Sequence, residues 1–133
     1  MTNGFDWVRA RAACSIAKIF KELELGTQND VDAINSQRPE GVHIKFSVSK
    51  VSGDHFSVVR EATNFPPIYA VDFALSEDEI HVEGDERINV DFVATLTLTN
   101  KGECRLRVGS EELEQWQVRR KALEQLFFGP YAR

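Results

Sequence analysis

Val42-His43-Ile44-Lys45-Phe46-Ser47-Val48-Ser49 and Ile88-Asn89-Val90-Asp91-Phe92-Val93-Ala94-Thr95-Leu96-Thr97-Leu98-Thr99 alternate apolar and polar side chains. A period of two sends successive side chains to opposite faces, so each run predicts a strand with one dry and one wet face. Between them, Ser52-Gly53-Asp54 predicts a hairpin joining Val42–Val51 to His55–Glu61. Asn64-Phe65-Pro66-Pro67 reads as a rigid loop, followed by a strand over Ile68–Leu75 and a short one around Ile80 and Val82. Asn100-Lys101-Gly102-Glu103 turns the long fifth strand into Cys104–Val108. Connections this short require antiparallel neighbours, since a parallel pair needs a crossover of a dozen or more residues.

Working outward, the pattern changes from two to helical. Phe5, Val8, Ala12, Ile16, Ile19, Phe20 and Leu23 share one face of a predicted helix from Phe5 to about Leu25, which Gly26 is suited to end. Thr27 to Asp30 would cap a short second helix over 28–36, and Pro39-Glu40-Gly41 then breaks the chain. At the other end, Gly109-Ser110 closes the sheet and caps a last helix. Its predicted inward stripe is Leu113, Trp116, Leu123 and Phe127, widened by Ala122 and Leu126.

These elements make one α+β domain over 1–133: a helical segment over 1–40, an antiparallel strand block over 42–108, and a C-terminal helix over 110–128. About six strands would form one sheet, with the N- and C-terminal helices packed on its dry face as a two-layer sandwich. The alternative is a strongly curved sheet, or half-barrel, plugged by the C-terminal helix. A chain of 133 residues buries enough surface for an ordinary core.

Charge is unevenly placed. The net value is −5, and residues 40–100 hold eleven acidic against four basic groups, whereas 101–133 hold five acidic against seven basic. An acidic strand block disfavours nucleic acid as a partner, because backbone binding rests on clustered Lys and Arg. No apolar run reaches the roughly 18–20 residues that span a bilayer. With Arg9 and Arg11 interrupting the start, the N-terminus does not read as a signal peptide. Cys14 and Cys104 lack CxxC company and read as two thiols in a reducing compartment, which makes a cytoplasmic location the expectation.

No GxSxG, HExxH, P-loop or GxGxxG pattern occurs, so nothing points to catalysis or to a cofactor. His43, His55 and His81 should lie on the wet face with Asp72 and Asp91. Exposed strand histidines rather than metal ligands are expected there. The residues singled out for binding are Arg9, Trp116, Arg119 and Arg120. The three arginines interrupt apolar helical arcs, where a guanidinium must pair, snorkel or anchor an anion.

Over 42–128, six strands ending in a helix with Trp116 resemble a pleckstrin-homology barrel, one strand short and with an extra helix in front. Helices around a sheet in an acidic chain are also similar to the small chaperones of type III secretion. Those place a helix inside the strand block, where 62–79 here offers a Pro-Pro loop and a strand. Three functions are therefore expected in order. The first is a non-catalytic protein-binding or adaptor module, homodimeric through the exposed sheet face at Val93 or an edge strand. The second is a site or enzyme for an acidic small molecule between the C-terminal helix and the sheet, lined by Phe46, Phe56, Tyr69, Phe73, Phe92 and Trp116. The third, implied by the resemblance to secretion chaperones, is the binding of an extended partner segment on exposed apolar patches.

Overall fold

The computed structural model describes residues 4–37, 44–62 and 65–129. The break at Pro39-Glu40-Gly41 and His43 lie outside the described residues. The chain runs α1 (Trp7–Ala13), α2 (Ile16–Ser36), β1 (Ile44–Ser52), β2 (His55–Ala62), β3 (Phe65–Ser76), β4 (Glu79–Gly84), β5 (Asp91–Leu98), β6 (Cys104–Val108), β7 (Glu111–Leu113) and α3 (Gln115–Phe128). The strands form one antiparallel sheet in sequence order, a meander whose edges are β1 and β7. The predicted α+β class, with N- and C-terminal helices beside an open antiparallel sheet, is what is found.

Alternation decides the layers. Phe56 pairs with Phe73, Phe73 with Val82 and Val82 with Phe92, a ladder of inward positions across four strands. Ser57, Asp72, Glu83 and Asp91 form the matching outward ladder one position away. The inward set buries Phe46, Phe56, Val58, Val71, Phe73, Ile80, Val82, Ala94, Leu106 and Val108. Against it lie Ile19, Phe20, Leu23 and Val31 of α2, with Val118, Ala122, Leu123 and Leu126 of α3. Phe56 stacks on Phe73 with centroids 4.6 Å apart, and Phe20 meets Phe56 edge-on at 5.3 Å. Truncating a ring in this cluster would cost about 3–5 kcal/mol.

The helical start differs from the sequence pattern. Instead of one helix to Leu25, the chain breaks at Cys14, which is extended, and restarts where the Ser15 hydroxyl accepts from the Lys18 N–H at 3.2 Å. From there α2 passes through Gly26 and the supposed capping run Thr27–Asp30 without interruption. Gly26 is not a stop but a close approach: a Cβ there would lie 2.6 Å from Nη1 of Arg119.

The strand block also differs in four places. Pro66 and Pro67 fall within β3 rather than in a loop before it. Ile88 and Val90 precede β5 and drop into the core from a turn held by Gly84 N–H to Val90 C=O at 2.8 Å. Gly109, at φ +61, turns the chain back into a seventh strand, with Val108 opposite Glu111 and Leu106 opposite Leu113. The last helix therefore starts after Glu114, whose N–H donates to Gln117 Oε1 at 2.8 Å, and not at Ser110. The seventh strand supplies the count missing from the pleckstrin-homology resemblance, but the sheet is open. Among the described residues no helix interrupts the strand block, unlike the secretion chaperones.

Two further contacts tie layers together. Cys14 and Cys104 form a disulfide, Cα atoms 5.9 Å apart across 90 residues of sequence, so the two free thiols expected from the sequence are corrected to a crosslink between α1 and β6. In the chain-entropy account, closing a loop of that length contributes roughly 4–5 kcal/mol. On the far edge, the carboxamide of Asn35 on α2 clamps the backbone of Phe46. It donates to the Phe46 C=O at 2.8 Å and accepts from its N–H at 3.0 Å.

Candidate functional site

α3 packs with period 3.6 and so divides its residues by face. Val118, Ala122, Leu123 and Leu126 are buried, and Trp116, Arg120, Glu124 and Phe128 are exposed. Trp116, predicted in the inward stripe, keeps 50% of its surface in solvent, and Phe127 is only part-buried, its ring 4.9 Å from Phe46. The buried arc, Val118, Ala122, Leu123 and Leu126, is rotated from the predicted stripe, which leaves Trp116 at its edge and puts Leu113 in β7 instead of the helix.

Where α3 runs beside α2, the two leave a groove of about 570 Å³. Its apolar lining comes from Ala33 and Ile34 on α2 and from Leu123 and Phe127 on α3. Trp116 and Phe128 stand along it, with Arg119, Arg120, Glu124 and Asp30. Three of the four residues singled out from sequence are thus brought together. Arg9 is not: α1 buries none of its residues, and Arg9 is exposed beside Asp6 at 3.8 Å.

The two groove arginines are held differently. Arg119 Nε lies 2.7 Å from Asp30 Oδ2, with only 20% of the arginine side chain exposed, and its guanidinium rests over Gly26. A charge-assisted bond at that distance and burial is a strong one. Arg120 Nε reaches Glu124 Oε1 at 3.0 Å one turn on, exposed on both sides, which is worth only a few tenths of a kcal/mol. A second hollow of about 330 Å³ lies under the first turn of α3, bounded by Ile19, Leu106, Leu113 and Cys104, and shares Trp116 and Arg119 with the groove. Of the aromatics expected to line a site between helix and sheet, Phe46, Phe56 and Phe73 are buried in the core, Tyr69 and Phe92 are part-buried, and Trp116 borders this hollow.

On the wet face polar side chains pair across strands, while His55 Nε2 is buried without a hydrogen bond among the described residues. His81 Nε2 is 2.8 Å from Asp91 Oδ1, and the Ser57 hydroxyl donates to Asp72 Oδ1, with His55 Nε2 at 3.4 Å from the same oxygen. His81, Glu83 and Asp91 bring ligand atoms within 4.8 Å of one another, all exposed. The trio has donors of a type that binds divalent ions, but its histidine is already engaged by its own aspartate.

One feature escaped the sequence pattern. Arg60, 4% exposed, is a buried cation with its guanidinium 5.0 Å from the Tyr69 ring, which Arg87 approaches at 5.6 Å. Its signal was parity: Phe56, Val58 and Arg60 share one face of β2, so an inward arginine was legible. No protein-family model matches the chain, and neither does any curated protein or solved structure, so neither resemblance is carried further.

Proposed function

We propose that this protein is a non-catalytic protein-binding module whose α2/α3 groove receives an amphipathic helix from a protein partner. The observation that carries this reading is the groove itself, about 570 Å³ with an apolar lining and exposed Trp116 and Phe128 beside it. Helix-in-groove recognition uses such a trough, filled by apolar anchors at i, i+3 or i+4, and i+7. Aromatic residues and arginine beside it are the side chains that dominate interface energies. The rival reading, an acidic small molecule anchored by arginine, is weakened because Asp30 already neutralises Arg119 at 2.7 Å. The disulfide supports an oxidising compartment over the cytoplasmic location expected from two free cysteines.

Selection of displayed peptides against the folded chain tests the groove. Enriched peptides should carry apolar residues at helical spacing. They should also lose binding to Ala33→Arg, which fills the groove from an exposed position of α2. Absence of enrichment, or peptides indifferent to Ala33→Arg, overturns the reading. Enriched segments without helical spacing point instead to the secretion-chaperone mode of an extended partner.

A further inference from the structure

Trp116, Arg120, Glu124 and Phe128 are spaced by four, so they form one i±4 ridge along the exposed side of α3. All four are exposed, and the two aromatics at its ends retain 50% and 72% of their surface in solvent. At 1.5 Å per residue the ridge is about 18 Å long.

Its order has a symmetry of its own: aromatic, basic, acidic, aromatic. Run antiparallel to itself about a two-fold axis level with Ala122, the ridge sets Trp116 against Phe128 and Arg120 against Glu124. An isologous interface needs this self-complementarity, each contact occurring twice. Charge supports the same occupant. The chain as a whole carries −5, which repels a second copy, while the ridge pairs one base with one acid and is neutral. The ridge forms one wall of the α2/α3 groove, so a second α3 lying against the ridge also covers the groove beside it.

We infer that the partner helix is α3 of a second copy of this chain, and that the protein is a two-fold dimer through its α3 ridges rather than through the sheet face or an edge strand. This rests on the groove being a helix-binding site. In the dimer, Arg120 exchanges its partner one turn along the same helix for Glu124 of the second copy, and the two aromatics leave water.

Charge reversal tests it on the full chain by sedimentation equilibrium. Wild type should be dimeric. Arg120→Glu and Glu124→Arg should each weaken self-association at least tenfold, because each homodimer then opposes like charges twice. An equimolar mixture of the two variants should associate again, since the mixed dimer sets the two glutamates of Arg120→Glu against the two arginines of Glu124→Arg, an opposite-charge pair at both positions across the axis. Recovery on mixing also shows that both variants are folded, which circular dichroism confirms separately. A wild-type chain that stays monomeric up to about 1 mM overturns the inference, as does a dimer that either reversal leaves intact or that mixing fails to restore. A monomeric chain that still selects helical peptides sensitive to Ala33→Arg removes the second copy as occupant and leaves the groove standing. Loss of both removes the groove as well.

Discussion

The outer face of α3 and the wet face of the sheet are both exposed and both charged, and they differ in how their groups are spent. On the sheet, His81 bonds Asp91 and the Ser57 hydroxyl bonds Asp72 beside His55, and the described outward positions are mostly polar, broken by Val59, Ala70, Ala74 and Val93. On the helices, the ion pairs stand beside the large exposed aromatic side chains Trp116 and Phe128, at the rim of a groove floored by Ile34 and Leu123. Satisfied polar groups prefer water, whereas aromatic surface gains by leaving it. The wet face thus has little to gain from a partner, and the helical face has much.

The largest effect expected lies in the crosslink between the N-terminal helical segment and the sheet on which both faces are built. Cys14→Ser with Cys104→Ser should lower unfolding free energy by roughly 4–5 kcal/mol in urea titrations, and reduction of the native protein should do the same. A loss below about 1 kcal/mol would mean that α1 and β6 stay together without the crosslink. Next, Asp30→Ala leaves Arg119 without its carboxylate at the groove edge and should cost about 1–2 kcal/mol. Gly26→Ala comes third and is best measured as a cycle. In an Arg119→Ala background it should stabilise by roughly 0.5–1 kcal/mol, as alanine does in a helix interior. With Arg119 present that gain should vanish, because the methyl collides with the guanidinium. Smallest of all, His81→Ala should change stability by under about 0.5 kcal/mol and self-association not at all. Weaker association in that variant would reverse the comparison between the faces.

The layers of the fold were legible because period two and period 3.6 are local properties. The inward ladder Phe56, Phe73, Val82, Phe92 follows from alternation alone. What was not legible depended on a distant residue. Gly26 reads as a helix end until Arg119 is known to lie over it. The cysteines read as thiols until the fold sets their Cα atoms 5.9 Å apart. Strand β7, only Glu111-Glu112-Leu113, is too short to show alternation and exists because Gly109 turns it onto β6. At the groove, Arg119 and Arg120 stand out in the sequence as interruptions of the apolar arc, and Trp116 reads as part of the arc itself. Periodicity said which side of α3 turns inward, and not how much of the other side α2 leaves bare. Arg9 misled for a related reason: its arc belongs to a helix that packs too little to bury anything.

The clamp of Asn35 on Phe46 has a consequence for the sheet's open side. A meander ending in β1 exposes backbone to any extended segment, and such margins invite fibrous growth. The carboxamide occupies N–H and C=O together, as a residue of an eighth strand would. An incoming chain must therefore lose two hydrogen bonds at Phe46 before it gains any there. One side chain serves as a terminator, written into the helix so that the ladder closes on its own molecule.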